Sequence, residues 1–428
     1  MTEPSKLTPL LLAHLGLLLV ACLHHPAAAG MKMDFGEGRD MELFFMVQFW
    51  DVGTVGAKDT QGKPVDDRSD LFIRRGRFGV NGHFRPSIRY LFNFAYDGVG
   101  LDYYTGSTGT PQATNNQAFY VWDAFVTFAL NETWADLTVG YFRPQVGRES
   151  ITTAFAVNSL IKSLNNFYPR KHYVGRGPGR ETGLNLGGLY SAESWSLNYN
   201  LGLFDTNHEM ITGETGGGSN WSPLWSGRVA VSFGDGELPI YGLGYHVNYF
   251  NDRKGVTVAV NGTHQGQTNQ TATTVTDSAV EYAGGFQRND LLGCDLLANY
   301  GNLNVSAEYD LLYREFSDDF VAIVDDLTSN EYTDRVWFVR AGYNIPLRNG
   351  QVLEPVVMVT RLEGDPHSAI FPGGEHEILG VGLNWYLDRN LLKINLHYHA
   401  QSGKPVSLYS EGLDEAGDFW GLGLQMVF

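Results

Sequence analysis

The chain has 428 residues, a formal net charge of −17, 18% charged and 13% aromatic residues, and 51 glycines. Beyond residue 30 no run approaches the ~20 consecutive apolar residues that a spanning helix needs, which excludes a helical membrane protein. So long a chain with so few charges is large for one soluble β domain, but it suits a closed barrel with lipid on one face and water on the other.

Residues 1–29 read as a secretory signal peptide. Lys6 precedes an apolar run from Leu10 to Val20, and Ala27, Ala28 and Ala29 supply the small residues of a cleavage site. A competing reading is lipidation at Cys22, because Leu19-Val20-Ala21-Cys22 resembles a lipobox. With the signal removed only Cys294 remains, so no intramolecular disulfide can form. No C-x-x-C-H is present, and no cofactor is expected.

Residues 30–428 read as one barrel. Period-two alternation recurs along them: Ile88, Tyr90, Phe92, Phe94 and Tyr96 against Arg89, Asn93 and Asp97; Trp195, Leu197, Tyr199, Leu201 and Leu203 against Ser196, Asn198 and Asn200; Leu392, Ile394, Leu396, Tyr398 and Ala400 against Lys393, Asn395, His397, His399 and Gln401. The last segment ends on Phe428, with Trp420, Leu422, Leu424 and Met426 alternating with Gly421, Gly423 and Gln425. Strands are expected near 41–50, 71–84, 87–97, 119–130, 135–142, 181–190, 194–204, 226–233, 241–250, 291–300, 303–316, 334–344, 352–362, 376–387, 391–401 and 417–428. Short links alternate with long ones, as periplasmic turns alternate with external loops in outer-membrane barrels. The fold class is therefore an all-β transmembrane antiparallel barrel of sixteen strands, with a long third loop folded into the lumen. Gly255–His264 also looks strand-like; since an even number is expected, it is assigned to the fifth external loop, and eighteen strands are the alternative.

Charge gathers in the third loop, 143–180. It holds Arg143, Arg148, Lys162, Arg170, Lys171, Arg176 and Arg180 beside His172, and Glu149 is its only acid. Folded inward, such a loop sets a positive field at the narrowest point, and Arg and Lys at a constriction select anions. Arg143, Arg148, Lys162, Arg170, Lys171 and Arg176 are the constriction candidates. The alternative is an external loop binding acidic lipopolysaccharide groups. On the second strand, parity turns Arg75 and Arg77 inward with Arg89 of the next strand, and turns Arg74 towards lipid with Phe72, Phe78 and Val80. The inward arginines either guide ions or pair with acids such as Asp97 or Asp123. Lys393, His397 and His399 complete the wall candidates; the histidines line the pore in this reading, and no metal site is expected.

Three places carry a resemblance to a known family. Phe72-Ile73-Arg74-Arg75-Gly76-Arg77-Phe78-Gly79-Val80-Asn81-Gly82, Gly140-Tyr141-Phe142-Arg143-Pro144-Gln145-Val146-Gly147-Arg148-Glu149 and the terminal Phe428 resemble the phosphate-selective porins O and P. The resemblance implies a sixteen-stranded barrel, usually trimeric, in the outer membrane of a Gram-negative bacterium. It also implies a folded-in loop and inward Arg75, Arg77, Arg143 and Arg148. The family's dense run of lumenal lysines is not evident here.

The expected function is passive diffusion of small anions, oxyanions such as phosphate included. Expected partners are outer-membrane lipid, lipopolysaccharide and the other subunits of a homotrimer, with no nucleic acid. A second reading is a sheath or receptor for a periplasmic or outer-membrane partner such as a multihaem cytochrome. A remote third is a hydrolase using His208 with Glu209 or His367 with Asp365, although no G-x-S-x-G occurs.

Overall fold

A computed structural model describes residues 31–428 except 101, 106–109, 114–118, 132, 176–177, 207–221, 268–285, 317–328, 369–370 and 406–412. The signal peptide, Cys22, Arg176, His208 and Glu209 lie outside the described residues.

One antiparallel sheet of eighteen strands contains two short additions, Met31–Gly36 and Ile345–Pro346, which leaves sixteen staves. In chain order these are β1 (Arg39–Val55), β2 (Arg68–Arg85), β3 (Ile88–Ala95), β4 (Tyr120–Asn131), β5 (Ala135–Phe142), β6 (Glu181–Ser191), β7 (Trp195–Asp205) and β8 (Leu224–Gly234). There follow β9 (Gly255–Gln265), β10 (Phe286–Tyr300), β11 (Leu303–Phe316), β12 (Glu331–Tyr343), β13 (Val352–Glu363), β14 (Glu375–Asp388), β15 (Leu392–Gly403) and β16 (Asp418–Val427). Each pairs with its sequence neighbours, and β16 closes the ring on β1 from Met46↔Val427 to Val55↔Asp418. Phe45 and Phe428 exchange backbone bonds of 3.1 and 2.8 Å at the seam. Closure leaves no stave with an unpaired edge that lipid would have to satisfy.

The alternation separates two environments. On β7, Ser196, Asn198 and Asn200 are buried while Leu201 is 56% exposed; on β9, Thr257 and Asn261 are buried while Val260 is 61% exposed. The polar face turns to the interior and the apolar face to lipid. Trp134, Tyr190, Trp195, Tyr300 and Tyr343 are exposed at the short-turn rim, the aromatic girdle of a membrane interface.

The stave count agrees with the sequence expectation, but one stave is exchanged. Tyr241–Phe250 is not a strand, and Gly255–Gln265, expected in an external loop, pairs with both β8 and β10. Residues 235–254 instead leave the short-turn rim and enter the interior, where Tyr241, Tyr245, Val247 and Asn248 are buried. Their alternation reflects packing inside a barrel, not lipid outside it. Both segments carry period two, and a periodic pattern does not say which surface buries it.

Two β-bulges overturn local parity. The β1–β2 register passes from Gln48↔Arg75 to Phe49↔Ile73, so Arg74 is an extra residue in β2. Phe72 therefore faces the interior, packed with Trp50 and Leu160, and not lipid as expected; the Arg74 guanidinium lies 5.1 Å from the Trp50 ring. The β3–β4 register passes from Asn93↔Asp123 to Phe94↔Val121, which makes Trp122 the extra residue in β4. A bulge re-aims a side chain that strict alternation would send to the other face.

Candidate pore constriction

Loop 3 enters the barrel after β5. Gly147 has φ 68°, and a Cβ there would lie 2.7 Å from the Glu308 carboxylate, so the turn into the lumen needs glycine. A short helix, α1 (Arg148–Ile151), follows. The chain then crosses to β15 and β16, where Leu160 lies over Gly421 and Gly423. A Cβ on either glycine would sit 2.2 or 2.9 Å from Leu160 carbons, so the bare backbone of β16 is the seat of the loop. The loop returns through α2 (Leu164–Val174).

An apolar cluster pins α2 to the wall. Tyr168, Tyr173 and Val174 pack with Phe142, Phe204, Leu224, Leu291, Leu312, Val336, Leu362 and Phe371. Each such side chain contributes about 1.5–3 kcal/mol on full burial. Polar ties complete the anchorage. Asn165 donates to Asp310 at 2.8 Å, Tyr168 to Asp334 at 2.7 Å, and Arg314 and Asn289 both donate to the His172 carbonyl. Lys393 donates to the carbonyls of Phe155 and Val157 at 3.1 and 2.7 Å.

Most of the predicted residues hold this architecture. Arg148 is fully buried and meets Glu237 through two bonds of 2.9 and 2.7 Å and Asp295 at 2.9 Å. Lys162 donates to the carbonyls of Glu149 and Thr152 at 2.7 and 2.6 Å. Arg170 binds Asn166 and the Pro178 carbonyl, and the Lys171 ammonium lies 4.6 Å from the Phe167 ring. Arg75 donates to Gln48 at 2.6 Å, Arg77 pairs with Asp97, and Arg89 bridges Asp136 and the Tyr241 carbonyl. His397 meets Asn384 at 2.8 Å and stacks on His399, which lies on the Phe419 ring.

Arg143 differs. It is half-buried at the start of loop 3, and its buried Nε has no hydrogen-bond partner. Burial, followed by the like charges of Arg180 and Arg170, pulls its guanidinium well below the usual arginine range. The same forces act on Lys162: burial, with Arg143 beside it, pushes the ammonium far below an ordinary lysine. Burial opposes the charge on Glu149 too, but Arg340 and Lys162 outweigh it and hold its carboxyl below its usual value. Arg143, Lys162 and Arg170 thus share one electropositive region, with Arg180 at its edge.

Several residues of the site escaped sequence reasoning. Trp122 carries two guanidiniums against its ring, Arg77 at 4.0 Å and Arg180 at 3.7 Å. Arg228 pairs with Asp295, and Arg340 pairs with Glu149. Arg228 and Arg340 sit on the polar parity of their strands, a signal that was available. Glu237 lies in no periodic segment and had none. The turn around His367 uses the Asp365 carboxylate to accept backbone N–H groups of Thr333 and His367.

A closed sixteen-stranded ring, apolar outside, with a long loop seated in a polar interior, defines a porin of the bacterial outer membrane. The model for phosphate-selective porins O and P matches residues 49–428, and the chain belongs to that family, which is one of channels. Among solved structures the chain is similar to the anion-selective porin from Comamonas acidovorans, at 12% identity over 91% of this chain and 100% of that one, with TM-score 0.57. It is also similar to a high-pH structure of Pseudomonas putida OprB, at 10% identity over 92% and 94% of the two chains, with TM-score 0.56. A third is the Salmonella typhi OmpF complex with daunomycin, at 11% identity over 93% and 100%, with TM-score 0.52. At such identities these likenesses show the fold. No curated protein matches the sequence.

Proposed function

We propose that the chain is an anion-selective diffusion channel whose constriction is loop 3. The observation that carries this is Arg143: a half-buried guanidinium with an unpartnered Nε, crowded by Arg170, Arg180 and Lys162, in a chain of net charge −17. Crowding like charges is costly, and an anion entering their midst relieves that cost. Arg143 offers it donors in place of lost hydration, and Arg75 on the wall adds to the positive field, while Arg77 is neutralised by its pair with Asp97. The described partners of Arg148, Lys162 and Lys393 favour positioning roles for those three. Oxyanions such as phosphate suit the planar donor fork of arginine.

The test is the reversal potential of the purified barrel in a planar bilayer under a KCl gradient. Chloride preference is expected, and Arg143→Gln should reduce it. Cation preference in the parent protein would reject the proposal. Block of chloride current by added phosphate tests the oxyanion preference.

The trimeric form of Vibrio cholerae OmpT, at 9% identity and TM-score 0.50, supports a homotrimer as the working assembly. Cleavage after Ala29 belongs to the same proposal, and N-terminal sequencing of the membrane form checks it. Loop 3 and residues 235–254 occupy interior space that a cytochrome sheathed by the barrel would require, which favours the channel over the sheath.

A further inference from the structure

The connection between β8 and β9 stands apart from the other turns of its rim. The rest are short: 85–88, 131–135, 191–195, 300–303, 343–352 and 388–392. Residues 235–254 instead rise into the barrel and cross it. On one side Arg89 of β3 donates to the Tyr241 carbonyl at 2.6 Å, and the Tyr241 and Tyr245 hydroxyls donate to Asn200 and Asn198 of β7, both at 2.7 Å. On the far side Asn248 and Asn344 exchange side-chain bonds of 2.7 and 2.9 Å, and Phe250 packs edge-on to Tyr386 of β14.

This floor also grips the loop that descends from the opposite rim. The Glu237 carboxylate takes two bonds from Arg148, the Thr153 N–H donates to the Tyr245 carbonyl at 3.0 Å, and Phe155 packs edge-on to His246. Arg148 is the hub, since Asp295 of the wall binds its remaining Nε.

We propose that residues 235–254 form a second constriction in series with loop 3, and that Glu237 is the positioning residue that locks it in place. An ion crossing the barrel passes the basic region around Arg143 and then the aromatic and amide floor. The first sets the preferred charge. The second, built from tyrosines and asparagines and with its buried Arg253 tied to Asn299 and Thr257 at 2.6 and 2.7 Å, limits size. The proposal rests on the channel reading above, but not on which ion is preferred.

The experiment measures single-channel conductance and reversal potential in KCl, with neutral polymers of graded size to find the exclusion limit. Glu237→Gln removes the bidentate lock and leaves Arg148 held by Asp295. Two comparable resistances in series predict a rise in conductance of roughly two-fold when one is relaxed, with a larger exclusion limit. The reversal potential should not move, and Glu237→Asp should restore much of the parent conductance. A second variant replaces 238–252 by a short glycine-containing turn and should conduct at least as well as Glu237→Gln. Unchanged conductance and exclusion limit in a folded Glu237→Gln barrel would overturn the floor while leaving the channel in place. A parent barrel that conducts nothing would instead remove the channel reading itself.

Discussion

The guanidinium of Arg180 lies 3.7 Å from the Trp122 ring centre, and Arg77 lies 4.0 Å from the same ring. Two arginines thus share one aromatic side chain, and each has its own acid, Asp123 for Arg180 and Asp97 for Arg77. Trp122 reaches this position because it is the extra residue of a bulge. The arrangement joins the end of loop 3 to β2 and β4, and it brings positive charge to the region of Arg143.

Trp122→Leu removes both cation–π contacts. With about 0.5–2 kcal/mol for each, the barrel should lose roughly 1–4 kcal/mol of stability. Urea unfolding of the detergent-solubilised barrel, followed by tryptophan fluorescence or by heat-modified gel mobility, measures the loss. Trp122→Phe should retain a larger part than leucine does.

Glu149 should make the loop sensitive to acid. Burial would raise its carboxyl, but Arg340 and Lys162 outweigh it and hold the group below the ordinary glutamate range. A carboxylate with a depressed folded-state pKa contributes stability that is complete above its unfolded value and is lost as the pH falls through the folded one. Thermal melts should therefore be flat in this respect above about pH 5 and decline below pH 4.5. Glu149→Gln should be less stable at neutral pH by about 3–5 kcal/mol, because it strands Arg340, and should lack that share of the acid-dependent decline.

Leu160 needs bare backbone beneath it. Gly421→Val places a branched side chain where a Cβ already lies 2.2 Å from a Leu160 carbon, so the tip of loop 3 must lift. Noisier current and a changed conductance are the expected result in bilayers. Gly421→Val with Leu160→Ala should recover the quiet parent trace, whereas failure to recover would remove Leu160 from its seat.

The exchange of staves is testable without electrophysiology. In a Cys294→Ser background, a fluorophore on Val258→Cys should be quenched by brominated acyl chains, because Val258 is exposed on the lipid face of β9. One on Leu243→Cys, inside the floor segment, should not be. Quenching at Leu243 and none at Val258 would restore the strand expected from alternation.

Arg143→Glu should go beyond neutralisation. A negative group at the entrance to loop 3 opposes anion entry, so the anion-to-cation permeability ratio should fall below that of Arg143→Gln. Equal ratios in the two variants would mean that Arg143 does not face the ion.

The sequence by itself determined that the chain closes into a ring of sixteen antiparallel strands in the outer membrane. Lipid and water impose opposite chemistries on alternate residues, and that contrast repeats around the whole wall. It also located the basic loop, since seven bases beside one acid stand out in an acidic chain. The tertiary structure decided which periodic segment is a stave and which is a floor. Tyr241–Phe250 and Gly255–Gln265 both alternate, and only the space left inside the closed ring separates them. It likewise decided that Arg74 and Trp122 abandon strict parity, because a bulge depends on the register of two strands and not on the composition of one. Finally, it divided the basic residues into those that hold the loop, Arg148 and Lys162 among them, and Arg143, whose Nε has no bond: the partners of Arg148, Glu237 of the floor and Asp295 of the wall, are brought together only by closure of the barrel.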